Sequence, residues 1–166
     1  AFQRRWHMRI IPNDAANAEH ANQPILDTGI PWKTFCDRVN TLILDNNVGM
    51  TSSEDKRLGA YFLRPADIVF DPSGTSTADM HNRLFAEKAI KYLWDDAFKF
   101  HREALFDPKY RSLEQVLIDF HSKKGFNRFS VFLKGVFTEK DMITPAAAEK
   151  SDAQETDTEN SESQGD

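Results

Sequence analysis

Phe85-Ala86-Glu87-Lys88-Ala89-Ile90-Lys91-Tyr92-Leu93-Trp94-Asp95-Asp96-Ala97-Phe98-Lys99-Phe100-His101-Arg102-Glu103-Ala104-Leu105-Phe106 reads as one long amphipathic helix, with Asp79 as its expected cap. Glu87, Lys91, Asp95, Lys99 and Glu103 recur every fourth residue with alternating sign. Such neighbours pair at about 0.2 to 0.5 kcal/mol each and mark a solvated stripe. On the other side Ala86, Ala89, Ile90, Leu93, Ala97, Phe100 and Ala104 form a seam whose small residues let another helix approach closely. Phe85, Tyr92, Trp94 and Phe98 flank the seam, and part of this aromatic surface is expected to meet a neighbouring subunit. Asp95 and Asp96 do not read as a catalytic carboxylate pair. Consecutive helical residues point about 100° apart, and Asp95 has Lys91 and Lys99 within reach.

Working outward, a second helix is expected from Pro31, since proline at the first helical turn loses no hydrogen bond. Trp32, Phe35, Cys36, Val39, Leu42 and Ile43 recur at helical spacing, and Asn46, Asn47 and Gly49 end the run. Ser52 or Ser53 offers a helix cap ahead of the apolar segment Leu58-Gly59-Ala60-Tyr61-Phe62-Leu63, and residues 64–78 read as a turn-rich loop. Ser112 and Gln115 form a capping-box pattern for a further helix that buries Leu113, Val116, Leu117 and Phe120 and ends at Gly125. Phe126, Phe129, Val131, Phe132, Val136 and Phe137 follow as a short strand or a packing tail. Near the start, Trp6, Met8 and Ile10 alternate with His7 and Arg9, predicting a strand that ends at Pro12 and needs partners upstream. Residues 13–30, rich in Asn, Ala and Pro, read as a connector.

Composition narrows the function classes. The chain has 21 Lys and Arg against 26 Asp and Glu, a net charge of −5. Glu149 to Asp166 holds seven of the acids and one Lys, so the remainder is nearly neutral and offers no generalised basic surface for nucleic acid. From about Thr138 the chain lacks apolar periodicity and reads as a disordered acidic tail. No apolar stretch approaches the roughly 20 residues of a membrane span, no signal peptide is visible, and a cytoplasmic protein is expected. Cys36 is the single cysteine and lies on the apolar face of its helix, as a small core residue does. The histidines, at 7, 20, 81, 101 and 121, are too scattered for a zinc site, so no metal is assigned to this chain alone.

The chain begins Ala1-Phe2-Gln3-Arg4-Arg5-Trp6 without an initiator Met, and it is expected to be the closing part of a larger protein. The basic pair, the Pro-containing linker, the helix from Trp32, the segment Asp55-Lys56-Arg57-Leu58-Gly59-Ala60-Tyr61-Phe62-Leu63 and the helix carrying Tyr92-Leu93-Trp94-Asp95-Asp96 occur in the order found in McrB-type AAA+ NTPases. Over roughly residues 1 to 120 the chain resembles the closing third of that family. The resemblance implies a mainly α fold: the last strand of an α/β core and a connector in 1–30, a helical lid in 31–137, and a tail in 138–166. It implies that Arg4 or Arg5 is an arginine finger acting on nucleotide in the adjacent subunit, because a planar, permanently charged guanidinium stabilises the charge that builds on a phosphoryl group in transfer. Lys56 and Arg57 become candidate nucleotide-binding sensors, or are an ordinary exposed basic pair. Gln3 and Trp6 stand where the family often has Arg and Phe, which leaves open which arginine is the finger.

The same resemblance implies ATP or GTP with Mg²⁺ in the complete protein, a homo-oligomeric ring that is a hexamer in this family, an McrC-like nuclease partner, and DNA bound through an upstream domain in modification-dependent restriction. The phosphate-binding pattern Gly-x-x-x-x-Gly-Lys-Ser/Thr is missing. Gly29-Ile30-Pro31-Trp32-Lys33-Thr34 lacks the second glycine and has proline where an amide is required. The chain alone is therefore expected neither to bind nucleotide tightly nor to hydrolyse it. Two other classes compete. One is a small helical protein-interaction module with an acidic tail and no catalysis. The other is a nucleic-acid binder using Arg4, Arg5, Arg9, Lys123, Lys124 and Arg128, against which the near-neutral charge argues.

Overall fold

The computed structural model describes residues 13–46 and 54–143. The expected strand at Trp6 to Ile10, the caps Ser52 and Ser53, and residues 144–166 lie outside them. The described residues are mainly helical and contain no sheet; extended pairing is limited to the isolated bridges Pro24 with Pro31 and Phe106 with Phe132. No helix among them is long and apolar enough to cross a membrane.

Helix α1 spans Trp32–Asn46. It starts where the proline predicts, with the Phe35 amide donating to the Pro31 carbonyl at 3.0 Å. Trp32, Phe35, Cys36, Val39 and Ile43 are fully buried on one face. Burial pushes the Cys36 thiol far up, with Asp37 adding to the shift, so it stays protonated and acts as packing.

Helix α2 spans Ser76–Phe85 and runs without a break through π-helical turns at Ala86–Ile90 and Leu93–Ala97. This rod differs from the expected helix at both ends. Thr75 is the cap, its hydroxyl accepting from the Ala78 amide at 3.1 Å, while Asp79 lies inside the first turn and pairs with Arg83 at 3.1 Å. The rod stops at Ala97 rather than Phe106, because Phe98 leaves helical geometry and the chain turns back to bury Phe98, Leu105 and Phe106. Phe100, expected in the seam, is 66% exposed on that turn. Of the predicted stripe, Lys91 and Asp95 pair at 2.6 Å, while Lys99 and Glu103 fall beyond the rod. Wide i→i+5 turns break the strict fourfold spacing such a stripe needs.

Helix α3 spans Leu113–Ser122. Ser112 Oγ accepts from the Gln115 amide at 3.3 Å, while the Gln115 side chain reaches one residue further back than a capping box, to the Arg111 amide at 2.9 Å. The aromatic run after it is a packing tail rather than a strand. It forms a 3₁₀ helix at Gly125–Val131 and then feeds Phe132 and Phe137 inward.

Helix α1, the rod and the aromatic tail meet at Phe35. Its ring lies 5.8 Å from Trp32 and 5.4 Å from Phe85 on the rod. It also lies 5.8 Å from Phe129, 5.9 Å from Phe132 and 5.3 Å from Phe137. Phe85 continues the cluster to Phe120 on α3, at 5.7 Å. Of the aromatic residues flanking the seam, Phe85, Trp94 and Phe98 are buried in this chain's own core and Tyr92 is half-buried.

Residues 13–30 join that core through Ala15, Ala18, Ala21, Ile25, Leu26 and Ile30. Between Pro24 and Pro31 the chain doubles back, with Ile25 N bonding Ile30 O at 2.9 Å, and this loop ties distant segments together. Asp27 accepts from Arg128 Nε at 2.5 Å and from the Gly125 amide at 2.8 Å, and Leu26 N donates to Ile68 O at 2.7 Å. Gly29, at φ +77°, sits against Met142 where a Cβ would meet the Met142 methyl at 2.8 Å, and its carbonyl accepts from Ile143 N at 3.0 Å. Ordered packing therefore extends past Thr138, with Asp141 holding Arg38 at 2.7 Å.

Phe35→Ala removes the ring on which α1, the rod and the aromatic tail converge. Urea unfolding should show a loss of about 3 to 5 kcal/mol; a loss below about 1 kcal/mol would mean the cluster packs without it.

Candidate functional site

The sequence candidates fall in two places. Arg4 and Arg5 lie outside the described residues. Lys56 and Arg57 follow α1 on the short 3₁₀ turn Glu54–Lys56 and its exit, both half-buried.

The segment they introduce is stapled from three sides. From α1, Asn40 bonds both backbone groups of Leu58, donating to its carbonyl at 3.0 Å and accepting from its amide at 2.7 Å, and Trp32 Nε1 donates to Ala60 O at 3.2 Å. From the rod, Tyr92 Oη donates to the Lys56 carbonyl at 2.9 Å and its ring lies 4.9 Å from that of Phe62. From the start of the described chain, the Asn17 carbonyl accepts from Tyr61 Oη at 2.9 Å. Gly59 comes close to Asn13 here, a Cβ on it falling 3.4 Å from Asn13 Oδ1. Leu58 and Leu63 are buried beneath, which leaves Tyr61 74% exposed at the surface.

Within this frame the two cations are engaged separately, each by a carbonyl. Lys56 Nζ approaches the Asp96 carbonyl at 3.4 Å, and Arg57 Nε approaches the Glu54 carbonyl at 3.4 Å. Lys56 thereby helps satisfy the open C-terminal carbonyls of the rod, where a cation is favoured. Arg102 does the same from the other direction, donating to Trp94 O at 3.2 Å while its guanidinium stacks 4.7 Å from the Trp94 ring. Both contacts of the candidate pair are at the long end of hydrogen bonding, and neither cation pairs with a carboxylate among the described residues.

Sequence reasoning missed a second charged cluster. Asp67, 1% exposed, accepts from Arg64 Nη2 at 3.0 Å and from Lys88 Nζ at 2.7 Å, and also takes the Arg64 amide at 3.1 Å. Burial works to raise the carboxyl, but the hydrogen bonds from Arg64 and Lys88 outweigh it and hold the group down to about 2. The local half of this cluster had a sequence signal, Arg64-Pro65-Ala66-Asp67 being a turn start with an acid at the third position. Lys88, 21 residues on, had none.

Among the described residues no group of three or more His, Cys, Asp or Glu side chains is arranged to hold a metal ion. Comparison with family models, with curated proteins and with solved structures returned no match.

Because the Asp67 carboxyl titrates lower in the folded chain than its usual 3.8, its stabilising contribution is present above about pH 4 and is lost as pH falls towards 2. The stability gap between the wild type and Asp67→Asn should be widest near neutrality and narrow below pH 4. A gap independent of pH in urea titrations would show that the carboxylate charge does not matter.

Proposed function

We propose that this chain is the C-terminal part of a ring-forming AAA+ NTPase of McrB type, supplying an arginine finger in trans and a helical lid. One observation carries the reading. Asp55 to Leu63 and Tyr92 to Asp96, two of the segments that carry the resemblance, pack against each other through Tyr92, Phe62 and the Lys56 carbonyl. The two motifs thus form a single unit, as the proposed lid requires, and that unit holds the candidate cations Lys56 and Arg57. A phosphate needs donors that are not already neutralised, and this pair, bonded among the described residues to carbonyls alone, meets that requirement.

In this reading the triphosphate and Mg²⁺ are held by residues upstream of Ala1, since no phosphate-binding loop occurs in the chain. When bound, Mg²⁺ would supply charge neutralisation at the phosphates. Lys56 or Arg57 exchanges its carbonyl contact for a phosphate oxygen when the lid closes. Arg4 or Arg5 reaches across the subunit boundary to the terminal phosphate. An McrC-like nuclease and a DNA-reading domain upstream would complete a restriction assembly.

In the complete protein Arg4→Ala or Arg5→Ala should lower NTPase turnover by roughly 10³-fold or more, with nucleotide affinity little changed. The double variant Lys56→Ala, Arg57→Ala should instead weaken nucleotide binding. Unaltered turnover in both arginine variants removes the trans-acting role and favours a helical interaction module without catalysis, and unaltered affinity in the double variant returns Lys56 and Arg57 to surface charge.

A further inference from the structure

Helix α3 carries more apolar surface than the core uses. Val116 and Phe120 point inward and are buried, yet Ile118 on the same helix is 61% exposed. Ile118 lies in a groove of about 580 Å³ between the rod and α3, with Leu113 and Leu117 as its other apolar lining.

The charges around this groove are unevenly satisfied. On the rod, Asp79 and Arg83 neutralise each other at 3.1 Å. Glu87, one turn further along the same face, and Glu114, on α3, are exposed, and their carboxylates make no ion pair or hydrogen bond with other described residues. Lys91, four residues beyond Glu87, is paired with Asp95 at 2.6 Å. His121 also lines the groove, and burial, reinforced by the positive charges of Arg83 and Arg128, lowers its ring to about 4. Near neutrality it therefore adds no positive charge. An aliphatic floor is thus bordered by two uncompensated carboxylates.

We infer that the groove between the rod and α3 docks a basic amphipathic helix of a partner protein, its aliphatic side chains seated on Leu113, Leu117 and Ile118 and its Lys or Arg residues meeting Glu87 and Glu114. A cleft between two helices accepts a third as a row of anchors spaced three or four residues apart. Complementary charge fixes which helix is accepted, because like charge at the rim is repelled. The site is separate from Lys56 and Arg57 and does not depend on the NTPase reading.

The test uses the full 166-residue chain and a fluorescein-labelled peptide of about 16 residues, with leucines at helical anchor spacing and lysines elsewhere. A companion peptide carries glutamate at every lysine position. Fluorescence anisotropy at about 0.15 M salt should show the lysine peptide binding and the glutamate peptide not binding. Glu87→Lys with Glu114→Lys should weaken the lysine peptide at least about tenfold and admit the glutamate peptide. Ile118→Asp should weaken the lysine peptide too, with circular dichroism unchanged for all variants. Absence of binding, or equal binding by the wild type and the charge-reversed variant, as attraction to the acidic residues 149–166 would give, overturns the proposal.

Discussion

Phe35 is the constraint on which the rest of this structure depends. With no sheet among the described residues and a single cysteine in the chain, the apolar residues gather at one point. They do so by surrounding a single α1 ring with Trp32, Phe85, Phe129, Phe132 and Phe137. Aromatic rings suit such a junction, because offset and edge-on contacts add to the area they bury and fix the angles between elements. The polar staples act around this centre rather than in place of it. Arg128 and Asp27 close the loop Pro24 to Pro31 onto the segment after α3, while Asn40 and Tyr92 fix Leu58 to Leu63 between α1 and the rod.

That arrangement gives the candidate cations a rigid footing. Lys56 and Arg57 sit on a turn whose following residues bond to three separate elements, so their backbone positions are set by the core while their side chains, among the described residues, bond to carbonyls. In the proposed lid, such a footing lets a small displacement at a phosphate move the rod and α1 together. Lys56 has a structural role as well, as a cation at the C-terminal end of the rod. A residue that must give up that contact to reach a ligand couples ligand binding to the rod's end.

Local signals in the sequence carried over well. The start of α1 after Pro31 and the serine cap of α3 follow from short-range chemistry, and the structure has both; of the expected inward face of α3, Val116 and Phe120 are buried while Leu113 and Leu117 are only half-buried at the groove. The ends of the rod were not legible. Thr75 and Asp79 are both residues that cap helices, and only the hydroxyl contact to Ala78 distinguishes them. Nothing between Ala97 and Phe106 breaks a helix locally; the turn arises because Phe98, Leu105 and Phe106 gain burial by leaving it. The aromatic tail read equally as strand or packing segment, since its destination is a ring some ninety positions earlier. At the candidate site the basic pair was visible but its neighbours Tyr92 and Asp96 were not, and Lys88 beside Asp67 and the groove bordered by Glu87 and Glu114 exist only once helices are placed in space.

The functional account rests on a charge delivered across a subunit boundary, and the measurement that meets it most directly is a structure of the intact assembly bound to a non-hydrolysable nucleoside triphosphate. The account predicts the guanidinium of Arg4 or Arg5 within hydrogen-bonding reach of the terminal phosphate held by the adjacent subunit, with the Leu58 to Leu63 segment facing the nucleotide of its own subunit. Both guanidinium groups lying in bulk solvent, away from any nucleotide, would contradict it.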